Sequence, residues 1–337
     1  MKRIALFFHL FLCVALFLPA QEKYAVGFYN LENLFDTEND PTINDEDFTP
    51  KGSYQWTSKK YSQKLNKMAS VIAKLGVEQC PEGMAVLGVS EIENRKVLED
   101  LAKTKKLASR NYEIVHHNSP DWRGIDVALL YNPSLFELES HKAYPMHVAS
   151  NPDFRTRDQL LVTGKLGGDR IHFIINHWPS RRGGRKGNMR NAAAKVTRQI
   201  VDSIYTAEPD AKIVILGDFN DNPDDESCRY VLRAVEKPDQ VKGTHDLYNV
   251  TWSFWRKGIG TLCYQGQWNL FDQVIISKGL LKRKEGSLRY DKMEIFNRDF
   301  LIQKEGKYKG YPLRTFSGNR FQNGYSDHFP VCLYLLK

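Results

Sequence analysis

Cysteine is scarce in this chain: 337 residues contain five. Cys13 falls among the first twenty residues, and Cys80, Cys228, Cys263 and Cys332 are scattered over the rest. Four thiols in so long a chain make no disulfide framework, and their spacing matches no zinc site. Cys332, inside an apolar run, reads as a small buried hydrophobe. Low-complexity tracts are missing too, and with 42% hydrophobic and 26% charged residues disorder is excluded. No Gly/Ser- or Pro-rich linker interrupts the chain and no internal repeat divides it. A single domain over residues 21–337 is therefore expected, with ample material for a large core.

The first twenty residues form a separate object. Lys2 and Arg3 precede an almost continuous apolar run over residues 4–18, and Pro19-Ala20 lead into the polar Gln21-Glu22-Lys23. That is the layout of a signal peptide over residues 1–20, which predicts a secreted or periplasmic protein. The run is too short and too early for a stable membrane span, the alternative being an uncleaved N-terminal anchor. Leu10-Phe11-Leu12 lack the small residues that lipidation at Cys13 would need. Cleavage removes two of 48 basic residues and none of 40 acidic ones, so the net charge falls from +8 to +6. Such a balance suits a polyanionic substrate but does not demand one.

The mature chain alternates short apolar runs with helical patterns. Residues 24–29, 84–89, 125–131, 160–165, 171–176, 212–216, 271–277 and 329–335 read as strands. Ser58 opens a helix whose apolar positions are Tyr61, Leu65, Met68, Ile72 and Leu75, closed by Gly76. A second helix is expected over residues 188–205, burying Ala193, Val196, Ile200 and Ile204. Residues 282–320 carry no clear pattern and read as a long insertion. Two packed sheets with outer helices fit this series.

What stands out is where the polar residues fall. Nearly every predicted strand ends in Asn, Asp, Glu or His: Asn30 and Glu32, Glu91, His177, Asp218 and Asn220, Asp272, then Asp327-His328. Metal-assisted hydrolysis needs carboxylates and amides at one edge of a rigid sheet, because hard cations take oxygen ligands. It also needs a base for water and donors for charge developing on phosphate. Singly, each cluster has an ordinary reading. Asn30 and Asn220 suit turns, Glu91 a helix start, and Asp272 a strand-opening cap. Arg181, Arg182 and Arg185, in a glycine-rich stretch after His177, suit phosphate oxygens or a plain basic loop. Asp126 reads equally as a substrate contact or a strand cap. Trp252, Phe254 and Trp255 read as loop-to-core packing in preference to base stacking.

The ordered set is more telling. Tyr29-Asn30-Leu31-Glu32-Asn33, Ser90-Glu91-Ile92-Glu93-Asn94, His177-Trp178-Pro179-Ser180, Gly217-Asp218-Phe219-Asn220, Phe271-Asp272-Gln273 and Ser326-Asp327-His328-Phe329-Pro330 resemble the endonuclease/exonuclease/phosphatase superfamily. The resemblance spans about residues 24–337, and the His-Trp-Pro-Ser-Arg-Arg-Gly-Gly wording resembles its secreted bacterial branch. It implies an α/β fold, a four-layered sandwich of two mostly antiparallel sheets flanked by helices. It also implies a metal-dependent hydrolase of phosphate esters, with a nuclease or phosphodiesterase expected first. A phosphomonoesterase, a phospholipid phosphodiesterase and a non-catalytic polyanion binder are the alternatives. Carried over by position, Glu91 would be the central metal ligand, with Asn30, Glu32 and Asp327 near the cation. Asp218 would bind or activate water, Asn220 and His177 would donate to phosphate, and Asp272 would orient His328. With oxygen donors and no cysteine cluster, Mg²⁺ is expected, Mn²⁺ or Ca²⁺ being possible and zinc a poor fit. No protein partner is implied.

Overall fold

A computed structural model describes residues 22–146, 148, 151–181, 187–243 and 245–337. Residues 1–20, read as a leader, and Arg182 and Arg185 lie outside the described residues. One sheet of six strands runs β14 (Arg289–Ile295), β17 (Val331–Leu336), β1 (Lys23–Leu34), β2 (Met84–Ile92), β4 (Asp126–Tyr131) and β3 (Glu113–His116). The other, of seven, runs β5 (Phe136–Tyr144), β6 (Gln159–Leu166), β7 (Asp169–His177), β8 (Ile213–Asp218), β13 (Asp272–Ile276), β10 (Leu247–Asn249) and β9 (Ala234–Val235). Among the described residues only β1–β2, β7–β8 and β9–β10 pair in parallel. Two small hairpins, β11 (Leu262–Tyr264) with β12 (Gln267–Asn269) and β15 (Phe316–Ser317) with β16 (Arg320–Phe321), complete the strands among the described residues.

Side-chain alternation explains the sandwich. In β7, Ile171, Phe173 and Ile175 join the core between the sheets, while Ile174 faces the other way. In β8 the inward set is Val214 and Leu216 and the outward set Ile213 and Ile215. The outward residues are covered by Ala193, Ile200, Val201 and Ile204 of α3 (Asn188–Ala207). Strands buried on both faces read as continuous apolar runs, which is why β7 and β8 were visible as such. On the six-stranded sheet, α1 (Ser58–Ile72) and α2 (Arg95–Ala102) add Leu65, Met68, Val97 and Leu101 to the core. The sheets approach closely at Gly88, where a Cβ would lie 2.8 Å from Cδ1 of Ile175. Any side chain there would push the layers apart.

Several boundaries differ from expectation. The cap of α1 is Thr57, whose hydroxyl accepts from the Lys60 amide, so Ser58 is the first helical residue. Leu75 and Gly76 follow the helix, although Leu75 is fully buried. The helix start read at Glu91 falls four residues later, where Asn94 caps α2 by accepting from the Val97 amide at 3.0 Å. Strand β5 escaped notice because it is an edge strand with its middle exposed, where charged residues discourage pairing with other chains. Residues 282–320 are no simple insertion, since they contain β14, which pairs with β17. Trp252 is buried in the short helix α4 (Trp252–Trp255), and Phe254 and Trp255 pack against the core.

Candidate active site

Strand order assembles the polar ends. His177 closes β7 and Asp218 closes β8, and the two are register partners. Asp272 opens β13 opposite Asp218. Three adjacent strands thus present an imidazole and two carboxylates at one sheet edge. The other sheet reaches over them: Asn30 in β1 donates through Nδ2 to Oδ2 of Asp218 at 3.1 Å. His328 comes from the turn before β17, where the Ser326 hydroxyl donates to the Asn30 carbonyl and accepts from the His328 amide.

Strands β1 and β2 are distorted where they meet the site. Register shifts fall between Asn30 and Leu34 and between Ser90 and Ile92. Glu32, Asn33 and Glu91 there have φ of 48°, 51° and 57°, in the left-handed region that non-glycine residues avoid. Such irregularities re-aim side chains and gather at functional sites. Here they let the Asn33 amide donate to Oε2 of Glu91 at 3.0 Å, leaving Oε1 directed at Nε2 of His177, 3.8 Å away. Asn220, with φ of 49°, donates its amide to Oδ1 of Asp218 at 2.9 Å.

Asp218 is the hub. Its Oδ2 lies 3.7 Å from Nε2 of His177 and 3.8 Å from Nε2 of His328. Nδ1 of His328 stands 2.7 Å from Oδ2 of the fully buried Asp272, which fixes the ring and turns Nε2 toward Asp218. Burial alone would lower the His328 pKa, but the Asp272 and Asp218 carboxylates hold it well above the ordinary histidine value. Burial raises Asp218 above the usual carboxylate range, against the pull of His328 and the Asn220 amide. His177 is held well below its ordinary value by burial, then by Arg157, Arg123 and His328. It therefore stands neutral at pH 7, with Nδ1 buried and without a partner among the described residues.

The remaining candidates separate into groups. Asn220 spends an Nδ2 hydrogen on the Trp178 carbonyl at 3.0 Å. Glu32 accepts from Nε of Arg314 at 3.1 Å and from the Thr315 amide at 2.7 Å. Asp327 accepts from the same guanidinium at 2.7 Å. Arg181 donates to the Asn220 carbonyl and to the carboxylates of Asp221 and Asp225, with Phe271 under its guanidinium. Asp126 is buried and engaged internally, by His116 at 2.8 Å and by the amide and hydroxyl of Ser119. Its carboxylate closes a turn rather than facing the cluster around Asp218.

Other residues shape the site without having been foreseen. Arg157 donates to the carbonyls of His177 and Trp178 and pairs with Asp121 at 2.9 Å, so it braces the end of β7. Lys64, fully buried, donates to the Thr315 hydroxyl and the Tyr325 carbonyl and lies 3.6 Å from Glu32. A lysine on the α1 face that carries Tyr61 and Met68 was the available signal for Lys64. Arg157 and Arg314 sit in irregular segments and had no signal.

The donor chemistry suits a hard divalent cation. Asp218, Asp272 and His328 offer ligand atoms within 4.8 Å of one another. His328 Nδ1 and Asp272 Oδ2, however, satisfy each other. Among the described residues the ion pairs of Glu91 and Asp218 are with imidazoles, and Arg314 and Lys64 act on Glu91 from farther off. Oxygen donors without a Lys or Arg paired to them are what Mg²⁺-type ions take.

The sequence pattern of the Endonuclease/Exonuclease/phosphatase family matches residues 25–337. No curated protein matches the chain in sequence. Solved structures share the fold at low identity. TDP2 of D. rerio, complexed with single strand DNA product, is 14% identical with a TM-score of 0.54, covering 93% of this chain and 98% of that one. The mannosyl-6-phosphatase Bt3783 of Bacteroides thetaiotaomicron VPI-5482 is 15% identical with a TM-score of 0.56, covering 93% and 100%. ANGEL2, a 2',3'-cyclic phosphatase, is 14% identical with a TM-score of 0.57, covering 94% and 95%.

Proposed function

Because this chain belongs to the endonuclease/exonuclease/phosphatase family, we propose that it is an exported, divalent-metal-dependent phosphodiesterase that cleaves nucleic acid by in-line attack of water. Membership makes it a hydrolase of phosphoester bonds. The observation that carries the finer reading is the line from Asp272 through His328 to Asp218, with His177 and Glu91 beside it.

Asp218, fixed by the Asn220 amide and by Asn30, orients the attacking water and takes its proton, a role its raised basicity suits. His328, charged through its contact with Asp272, donates from Nε2 to a phosphoryl oxygen. Neutral His177 donates through Nε2, and the second Nδ2 hydrogen of Asn220 remains for phosphate. A cation held by Glu91 and Asn30, Mg²⁺ first by donor type, would supply positive charge to the phosphoryl oxygens.

Nucleic acid is favoured by the net charge of +6 left without residues 1–20 and by the likeness to the TDP2 structure that holds single strand DNA product. Trp122, 54% exposed, supports it. It sits between Asp121 and Arg123, on a turn tied by Arg157 to the His177 and Trp178 carbonyls. An open indole there suits a stacked base. The β11–β12 hairpin, the place to look for a lipid-seeking aromatic tip, turns through exposed Gln265, Gly266 and Gln267 and carries beside them a single exposed aromatic side chain, Tyr264, at 66%. Export rests on the leader-like residues 1–20 alone.

The test is hydrolysis of a single-stranded DNA oligonucleotide, bis-p-nitrophenyl phosphate, p-nitrophenyl phosphate and a hexose 6-phosphate, with Mg²⁺ and with EDTA. Metal-dependent cleavage of DNA and the diester, lost in Asp218→Asn, is expected. Turnover of the monoesters alone would keep the chemistry and overturn the substrate.

A further inference from the structure

Outside the active site, two imidazoles meet where the edges of the two sheets come together. His117 directly follows β3, the edge strand of the six-stranded sheet, and His141 lies in β5, the edge strand of the seven-stranded one. Nε2 of His117 and Nδ1 of His141 stand 2.8 Å apart, with ring centroids 5.0 Å apart and the planes inclined at 61°. Among the described residues neither ring has another hydrogen-bond or ion-pair partner. His116 differs from them, because its ring is buried and bound to Asp126 at 2.8 Å.

Two facing imidazoles share a single proton, one nitrogen donating it and the other accepting. Burial, and then the neighbouring His141 and His116, lower the His117 pKa below its ordinary value. His117 is therefore neutral at pH 7, the form in which imidazole ligates metals. A cation that replaces the shared proton breaks one N–H bond, releases that proton to solvent and forms two metal–nitrogen bonds. Zn–N bonds of ~2.0–2.1 Å at a tetrahedral angle place two ligand nitrogens roughly 3.3 Å apart. The rings must therefore part by about half an ångström. His141 is exposed and His117 half-buried, and with no other tie both are free to turn.

We infer that His117 and His141 form a second metal site, for a divalent ion of the zinc or copper class, which staples the two sheets at their adjoining edges. Imidazole nitrogens favour such ions, whereas the oxygen donors around Asp218 suit Mg²⁺. The two sites thus load different metals. Positions left open by two imidazoles face solvent on the His141 side, where water fills them. The staple anchors the start of segment 117–125, which carries Trp122. Farther along, that segment is held by Ser119 to Asp126 and by Asp121 to Arg157. No step of the proposed hydrolysis runs through this ion.

Calorimetric titration of Zn²⁺ into the mature full-length chain, with Mg²⁺ in large excess, counts the ions. The wild type is expected to bind one Zn²⁺ more per chain than either His141→Ala or His117→Ala. Its melting temperature should rise by about 2–4 °C with Zn²⁺ roughly tenfold above the dissociation constant. Both variants should lack that increment, and Glu91→Gln should keep it, which separates this ion from one at the active site. Equal stoichiometry in the wild type and the two variants would overturn the inference. A wild type whose melt Zn²⁺ leaves unchanged would overturn it as well. Should His117→Ala fail to fold, His141→Ala decides, because its side chain is exposed on an edge strand.

Discussion

Replacing Asp272 by Asn changes one atom at the centre of the proposed chemistry. The 2.7 Å contact between Asp272 Oδ2 and His328 Nδ1 lies among fully buried strands. A charge-assisted hydrogen bond of this kind contributes about 1.5–3 kcal/mol. At ~1.4 kcal/mol per decade, losing it from the transition state slows turnover by roughly 10- to 150-fold. Asn at this position can also offer its amide hydrogens to Nδ1, which moves the imidazole proton to Nε2 and removes the charge there. The full cost then lies within the roughly 10²–10⁴-fold range of acid–base groups. The assay is kcat and KM for bis-p-nitrophenyl phosphate beside a thermal melt. We expect kcat to fall by about 10²-fold or more with KM little changed. The pH dependence has a definite sign. His328 has its pKa raised in the folded protein, so its stabilising contribution is complete below the unfolded value and fades as pH rises through the folded one. The stability gap between wild type and Asp272→Asn should therefore be wider at pH 6 than at pH 9. A variant with kcat within about threefold of wild type would refute the orienting role of Asp272.

Three other perturbations test separate parts of the structure. Glu93 is pushed up to about 8 by burial, against the Asp36 amide bonded to it. Its folded pKa exceeds the unfolded one, so stability declines as pH rises from 4.5 toward 8. Glu93→Gln removes that loss, gaining up to roughly 3–4 kcal/mol at pH 8 over pH 5, at ~1.4 kcal/mol per pH unit. Denaturant melts at both pH values that differ from wild type by equal amounts would contradict it. EDTA should abolish phosphodiester hydrolysis and added Mg²⁺ or Mn²⁺ restore it; turnover surviving excess chelator excludes the metal mechanism. Arg181→Ala leaves Asp225 to the Asn222 amide and buried Asp221 to Arg190 and Ser227. Since Arg181 is partly exposed, the expected cost is about 1 kcal/mol of stability, with equal losses on DNA and on a small diester. A loss confined to DNA would return Arg181 to substrate recognition.

Much of this architecture was legible because strands buried on both faces leave polar residues conspicuous at their ends. His177 after Ile174 and Ile175, and Asp218 after Ile215 and Leu216, interrupt apolar runs where no surface requires it. Placing Asp272 beside them needs only that neighbouring strands pair in register. What local pattern does not encode is which charges meet across the fold. Glu32 and Glu91 look alike in sequence, each just past an apolar run, and each adopts a left-handed backbone. Their difference is made by Arg314, 282 positions away from Glu32, and by Lys64 from the opposite helix. The same holds for Asp126, which resembles a strand-end ligand until His116 and Ser119 close on it. A carboxylate's type and spacing show that it can hold a cation. Whether it is free to do so depends on the long-range partners that satisfy it first: among the described residues Glu32 is bonded to Arg314, whereas Glu91 forms no ion pair with a lysine or arginine.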